Sequence, residues 1–418
     1  MKKTILMLPS WYPTKENPYN GCFFREQALA LSKNFDFVVL RFSSKRILAC
    51  VYLIRSFFKL NKPKLNFIQD DFELKEYTVQ TYEPQFILLD LLIARFNTVV
   101  LHKKLPTGVG KREVKQIKNA RYNSIKNIKK LNLLPNFDIV YSLTAQDMAR
   151  IGSDFSKVYN VPHVTAEHAP FPWPGQILLD TSVQAIESAD AFLAISNDKI
   201  RQVLLQNVHV NPIWVGNLCD ETKFSLSQEK HDIPTFLIVA AHSFYKNYPL
   251  FVKSMEELKR IATKDFKIII AGYNANKGYS RNAKELEDIV HNSIINENTT
   301  MIEAVSREDM PKLYKSCDVF VMTSIQEGLP VSALEASMSG LPVISTRCGG
   351  VEDYVDDSMG RIFAITDYKG IANACNDFLN GVITFDNKII RERAVGLFGN
   401  EAFVNRMKNV FNKVMEIN

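Results

Sequence analysis

The sequence has no apolar run close to the roughly 20 residues that a membrane-spanning helix needs. The best candidate, Phe86–Ala94, is broken by Asp90. Its opening does not make a secretion signal either. After Met1-Lys-Lys the apolar run Thr4–Leu8 is too short and stops at Pro9, so it reads as a first strand. The six cysteines (Cys22, Cys50, Cys219, Cys317, Cys348 and Cys375) are scattered, with no Cys-x-x-Cys and no metal-ligand spacing. Buried thiols in a reducing, cytoplasmic compartment are expected. Asp-x-Asp is missing throughout, which removes one common way of holding a divalent cation, and no internal repeat or low-complexity tract stands out.

What is present is an ordinary globular composition, 46% apolar and 23% charged over 418 residues. That length is enough for two domains with a core each. The net charge of +6 is modest but uneven. Lys103, Lys104, Lys111, Arg112, Lys115, Lys118, Arg121, Lys126, Lys129 and Lys130 face the single acid Glu113. Such a run is either a solvated helix face or a surface that meets anionic lipid headgroups. No aromatic interleaving accompanies it, so nucleic acid is not an expected partner.

Strand-like and helix-like segments alternate, which argues for parallel sheets covered by helices. In the first half the expected strands are Thr4–Leu8, Phe37–Arg41, Asp138–Tyr141, His163–Ala166 and Ala191–Ile195. A turn-rich loop from Pro9 to Gly21 leads into a helix over Phe23–Ser32, and Ser196 caps a helix from Asn197. Ile47–Phe58, Phe86–Leu101 and Arg112–Leu131 read as helices of an insertion, either a packed lid or a peripheral membrane face. The second half restarts with strand Thr235–Ala240 and a helix from about Tyr248. Strands Lys267–Ala271, Val319–Met322 and Val343–Ser345 follow, with helices at Arg307–Ser316, Tyr368–Asn380, Asn387–Phe398 and Glu401–Glu416.

The most informative stretch is Ser324-Ile-Gln-Glu-Gly-Leu-Pro-Val-Ser-Ala-Leu-Glu335. It leaves the strand Val319–Met322 and enters a helix at Pro330, so Glu327 stands on the loop at a strand's carboxyl end. Ligands of open α/β sheets bind there. The N–H groups of Gly328, Leu329 and Val331, around Pro330, which has none, would form the positive end of a helix, suited to a diphosphate. Two carboxylates beside an anion are better used as acceptors for hydroxyl groups. Hydroxyls plus a diphosphate describe a nucleotide sugar.

This stretch, with its Glu-x7-Glu spacing and Gly-x-Pro after the first Glu, resembles glycosyltransferase family 4 and its retaining GT-B relatives. The resemblance implies an α/β fold of GT-B architecture, two Rossmann-like doubly wound domains facing a central cleft. Residues 1–216 would be the acceptor-binding domain, with the insertion at about 45–135. A linker would run over 217–234, the donor-binding domain over 235–395, and a final helix at 396–418 would cross back to the first domain.

Further segments carry the same resemblance. Thr165-Ala-Glu-His-Ala-Pro170 is similar to the family's Glu-His turn, which would put His168 near the donor sugar's hydroxymethyl group. The family's Gly-rich first loop is represented by Gly21 alone. Ile213–Phe224 resembles the segment that closes the first domain. Ala241-His-Ser-Phe-Tyr-Lys-Asn247 occupies the place of a Gly-Arg-x4-Lys motif. Lys246 matches as a phosphate partner, but Ala241 replaces the Arg, and His242 would substitute only in part, being mostly neutral at pH 7. Val305 would flank the nucleotide base, and Arg347-Cys-Gly-Gly-Val-Glu352 resembles the Gly-Gly-x-x-Glu turn.

The function so implied is transfer of a sugar, with retention, from a UDP- or GDP-sugar to a glycan or lipid-linked acceptor in cell-surface polysaccharide or glycolipid synthesis. Glu327 would orient the sugar, Glu335 would accept from the ribose, and Lys246 with the helix-end amides would stabilise the diphosphate without a metal or other cofactor. The alternatives are another GT-B enzyme, a phosphorylase or nucleotide-sugar epimerase, and a non-catalytic nucleotide-sugar-binding protein. Peripheral contact with an anionic membrane would run through 103–130.

Overall fold

The computed structural model describes residues 2–14, 20–58, 60–71, 74–85, 111–172, 178–226, 231–275 and 280–417. Its contacts divide the chain into two compact units. The first comprises Met1–Ala194, Ile200–Ile213 and Met407–Asn418; the second comprises Ile195–Lys199 and Trp214–Arg406. Each is an open sheet covered by helices, the Rossmann-like α/β arrangement of the GT-B fold.

The second unit is built on β9 (Thr235–Val239), β10 (Lys267–Ala271), β11 (Thr299–Ile302), β12 (Val319–Met322), β13 (Val343–Thr346) and β14 (Gly360–Phe363). All its strand pairs are parallel, in the order β11-β10-β9-β12-β13-β14. Strands covered on both faces are apolar along their whole length. Here Phe236, Ile238, Val319 and Val321 pack into one core layer, while Leu237, Phe320 and Val343 pack into the other. The chain winds outward from β9 to β11, then returns to the other side of β9 with β12. The strand order therefore reverses between β9 and β12, and the loops leaving those two strands meet at the topological switch point.

The first unit's sheet runs β3-β4-β2-β1-β5-β6-β7-β8. Its strands are β1 (Thr4–Pro9), β2 (Asp36–Leu48), β3 (Lys64–Asp71), β4 (Leu74–Gln85), β5 (Ile139–Leu143), β6 (His163–Glu167), β7 (Ala191–Ala194) and β8 (Pro212–Trp214). Around it lie α1 (Cys22–Leu31), α2 (Ala49–Phe57), α3 (Lys111–Lys130), α4 (Ala145–Tyr159), α5 (Asp180–Glu187) and α6 (Asn197–Leu205), the last beginning in the stretch assigned to the second unit.

In the insertion α2 forms within the expected helix Ile47–Phe58, and strands occupy 64–85, a stretch whose residues alone indicate no element: β2 runs on to Leu48 and pairs in parallel with β4 from Phe37↔Leu74 to Leu48↔Gln85, with β3 antiparallel on the outside. The expected helix Phe86–Leu101 lies outside the described residues. The basic helix forms as α3, and its Ile125 and Ile128 are fully buried against a core that includes Phe155. Arg121 is buried too, its Nε 2.7 Å from Asp154 Oδ2. Removing one partner of such a pair costs about 3–5 kcal/mol, so part of the basic run is scaffold.

The second unit's helices are α7 (Tyr248–Ile261), α8 (Ser280–His291), α9 (Met310–Lys315), α10 (Val331–Met338), α11 (Tyr368–Asn380) and α12 (Asn387–Phe398). The final helix, α13 (Asn400–Ile417), is divided: Met407 onward groups with the first unit. There the Phe411 ring stands edge-on to Phe35 and Tyr141, at 5.6 Å and 5.3 Å.

Candidate active site

The switch point of the second unit is tied together by backbone. After β12, Thr323 and Ser324 remain buried, and the chain emerges at Ile325, whose N–H donates to the Tyr245 carbonyl at 2.7 Å. Thr323 Oγ1 donates to the carbonyls of Lys246 and Asn247, each at 3.2 Å. The loop after β9 is thus locked beside the loop after β12. Its short 3-10 turn, Phe244–Lys246, ends at Asn247 in the left-handed region. This aims Lys246 at Glu327, with Nζ 2.6 Å from Oε1.

Glu327 itself is held by its neighbours. Its N–H donates to the Cys348 carbonyl at 2.6 Å, which lays the Gly349-Gly350 turn against the Glu327–Leu329 loop. A Cβ on Gly350 would come 2.1 Å from the Gly328 carbonyl oxygen, so only glycine lets the two backbones meet. Pro330 then caps α10 in an extended conformation, and Ala333 and Leu334 bond back to its carbonyl. Among the described residues the N–H groups of Gly328, Leu329, Val331 and Ser332 donate to no protein acceptor. The switch point therefore presents a primary amine, a carboxylate and a fan of open amides. Anions bind such helix starts, and a Lys–Glu pair at the rim can exchange partners with a ligand that carries both phosphate and hydroxyl groups.

Glu335 lies one turn deeper in α10 and is almost fully buried. Arg307 Nη1 bonds its Oε1 at 2.5 Å, and the Tyr314 hydroxyl donates to its Oε2 at 3.0 Å. Burial, and then the Glu335 charge, push the Tyr314 hydroxyl well above its ordinary value, so it stays a donor. Arg307 is the residue that sequence reasoning missed, having been placed only as a helix start. The two partners are 28 positions apart, and no local spacing rule connects them.

Of the remaining second-unit candidates, His242 stacks on Tyr248 with ring centroids 5.1 Å apart and planes within 7°. Burial lowers its pKa, with Glu285 opposing; the ring is neutral near pH 7 and supplies no cation in place of the absent Arg. Val305 is half-buried against the core of its unit. Leu329 is buried, and its carbonyl accepts from Asn217 Nδ2 at 2.9 Å.

Two candidates belong to the first unit. Gly21 caps α1 with φ 68°, and a Cβ there would meet the Trp11 backbone at 2.6 Å; its own loop requires a glycine. His168 follows β6 and stands edge-on to Phe24 at 4.8 Å, with Phe23 at 5.9 Å. The adjacent Glu167 is fully buried and accepts from two backbone amides, Gln146 N at 3.1 Å and Ala169 N at 2.7 Å.

The second half of the chain has similar sequences among known proteins. Residues 220–393 match the family model of the glycosyl transferases group 1. That matched span encloses Lys246, Val305, Glu327, Glu335 and the glycine pair, and leaves out Gly21 and His168. An Escherichia coli relative named UDP-Gal:alpha-D-GlcNAc-diphosphoundecaprenol alpha-1,3-galactosyltransferase is 30% identical over 107 residues, 25% of this chain and 28% of that one. The chain spans at most 36% of the length of the curated relatives set beside it.

Solved structures match over the full length. Sucrose-phosphate synthase from Thermosynechococcus elongatus has a TM-score of 0.71 at 14% identity, covering 100% of both chains. Anabaena HepE in complex with UDP-glucose has a TM-score of 0.66 at 14% identity, covering 98% of this chain and 100% of that one. At such identities the likeness establishes the two-unit fold. The group 1 match is specific to the unit that carries the Lys246–Glu327 pair.

Proposed function

We propose that this chain is a retaining glycosyltransferase that moves a sugar from a nucleoside-diphosphate donor, UDP- or GDP-linked, to a hydroxyl of a glycan or lipid-linked acceptor. The carrying observation is the 2.6 Å contact of Lys246 Nζ with Glu327 Oε1 at the edge of the open Gly328–Ser332 amides. The donor's diphosphate takes the amides and Lys246, and Glu327, released from its partner, accepts from the sugar's hydroxyls. The bond from the anomeric carbon to the phosphate oxygen breaks as the acceptor oxygen attacks from the same face. The leaving phosphate receives the acceptor's proton, so no protein nucleophile is assigned.

Amides and a lysine aimed at developing phosphate charge are preorganised stabilisation that needs no metal. Glu335 accepts from the ribose while Arg307 and Tyr314 fix its position. Val305 flanks the base. His168, from the first unit, steadies the sugar, and that unit binds the acceptor. The relative named for a diphosphoundecaprenol substrate and the neighbour solved with UDP-glucose support this substrate class; the transfer itself would take place at the cytoplasmic membrane face, in cell-surface glycan synthesis.

The test is a panel of UDP- and GDP-sugars, read first by thermal shift and then by release of nucleoside diphosphate with and without EDTA. A stabilising donor whose nucleoside diphosphate is released in EDTA at the untreated rate supports the assignment. Loss of release in EDTA restored by Mn²⁺ overturns the metal-free mechanism. Ala241 in place of the arginine favours one rival, a binder without turnover. That rival predicts stabilisation by a donor and no release with any acceptor.

A further inference from the structure

Helix α2 carries its apolar side outward. At 100° per residue, Leu53, Phe57, Cys50, Ile54, Phe58 and Val51 fall on one continuous arc of about 160°. That arc is the exposed one: Leu53 is 67% exposed, Ile54 59%, Phe57 83% and Phe58 63%. The opposite side faces the protein, and there the charged residue is held. The Arg55 guanidinium lies 4.6 Å over the Tyr82 ring, its Nε donates to Asn61 Oδ1 and its Nη2 to the Leu60 carbonyl, both at 2.9 Å. Asn61 Nδ2 closes the cluster on the Tyr52 carbonyl at 2.9 Å. A surface helix ordinarily does the reverse, and a contiguous apolar patch of this kind marks a contact with another apolar phase.

The charge around the helix selects that phase. Residues 45–64 contain six cations (Lys45, Arg46, Arg55, Lys59, Lys62 and Lys64) and no acid. Lys45, Lys62 and Lys64 are exposed. A second copy docking by a two-fold axis would set this cationic segment against itself. An anionic lipid surface satisfies both features, with acyl chains for the arc and headgroups for the lysines.

We propose that α2 and Phe58 dock the protein on anionic phospholipid bilayers, with Leu53, Ile54, Phe57 and Phe58 inserted at the headgroup–acyl boundary and Lys45, Lys62 and Lys64 on the headgroups. This assigns the membrane contact to 45–64; of the basic run 103–130, Arg121 is held by Asp154. The inference does not rest on glycosyl transfer, and it holds for a non-catalytic binder as well.

The experiment uses the full chain with Cys22 replaced by serine and an environment-sensitive fluorophore on the exposed Cys50. It is mixed with phosphatidylcholine vesicles with and without phosphatidylglycerol. The expected result is a blue shift and co-sedimentation with the anionic vesicles, both falling as salt rises. Ile54→Gln with Phe57→Gln should weaken vesicle binding about tenfold or more, and Lys45→Glu with Lys62→Glu should abolish the anionic preference. Thermal shift by UDP or GDP should be unchanged in both variants, which separates this result from any failure of the donor site. Three results overturn the proposal. One is absent or lipid-indifferent vesicle binding. Another is emission already blue-shifted without vesicles, meaning another part of the chain covers the arc. The third is a dimer in sedimentation velocity that Phe57→Gln dissolves.

Discussion

Each unit sets a carboxylate at or just beyond the carboxyl end of a central strand, and the two carboxylates have opposite fates. In the first unit Glu167 closes β6 and is sealed from solvent, with its two oxygens accepting from the Gln146 and Ala169 amides. It satisfies the positive start of α4 and fixes a turn. In the second unit Glu327 stands five residues beyond β12, half-buried, with its carboxylate on the movable Lys246 amine. A carboxylate committed to backbone amides is scaffold; one held only by a flexible cation is available to a ligand. Position at a strand's carboxyl end is shared, so the partner decides.

The largest expected effect that separates the corners is Glu327→Gln. It should lower turnover by at least about 100-fold, roughly 2.7 kcal/mol of transition-state stabilisation, with the unfolding midpoint unchanged. Full turnover in that variant would put Glu327 on the scaffold side. Next is Lys246→Ala, expected to weaken UDP or GDP binding by about 10–100-fold, the worth of a charge-assisted hydrogen bond; titration calorimetry reads it directly.

Glu167→Ala should behave in the opposite sense. Two buried amides lose their acceptor, costing about 1–3 kcal/mol of stability, with nucleoside diphosphate affinity unchanged. A variant of normal stability would erase the contrast. The last effect is a pH dependence in the first unit. Burial, with Lys157 adding to it, pushes His163 down to about 3. The folded state therefore holds a neutral ring that the unfolded state would protonate below its ordinary pKa of about 6.5. That contribution is complete above about pH 6.5 and is lost as the pH falls toward 3. His163→Gln should flatten the urea midpoint of unfolding between those limits.

The same contrast explains what the sequence made legible. In the second unit both sheet faces are buried, so β10 and β12 are plain apolar runs, and their bounds in the structure are those read from the residues. Lys246 and Glu327 lie on the loops those runs define. Region 64–85 was not legible, because its alternation places Glu76 and Thr81 at buried positions. Glu76 is satisfied by the Tyr12 hydroxyl from 64 positions away, at 2.9 Å. Arg307 on Glu335 is hidden for the same reason: long-range polar pairing leaves no periodic trace. Helix α2 was legible as a helix, but its apolar arc gave no sign that it faces outward, since an amphipathic pattern does not say which side the protein occupies.

The most direct measurement is amide hydrogen exchange of the full chain with and without UDP or GDP. Occupation of the β12 turn predicts slowed exchange at residues 327–332, with residues 143–167 around Glu167 unchanged. Unaltered exchange at 327–332, with protection appearing elsewhere in the chain, would contradict it.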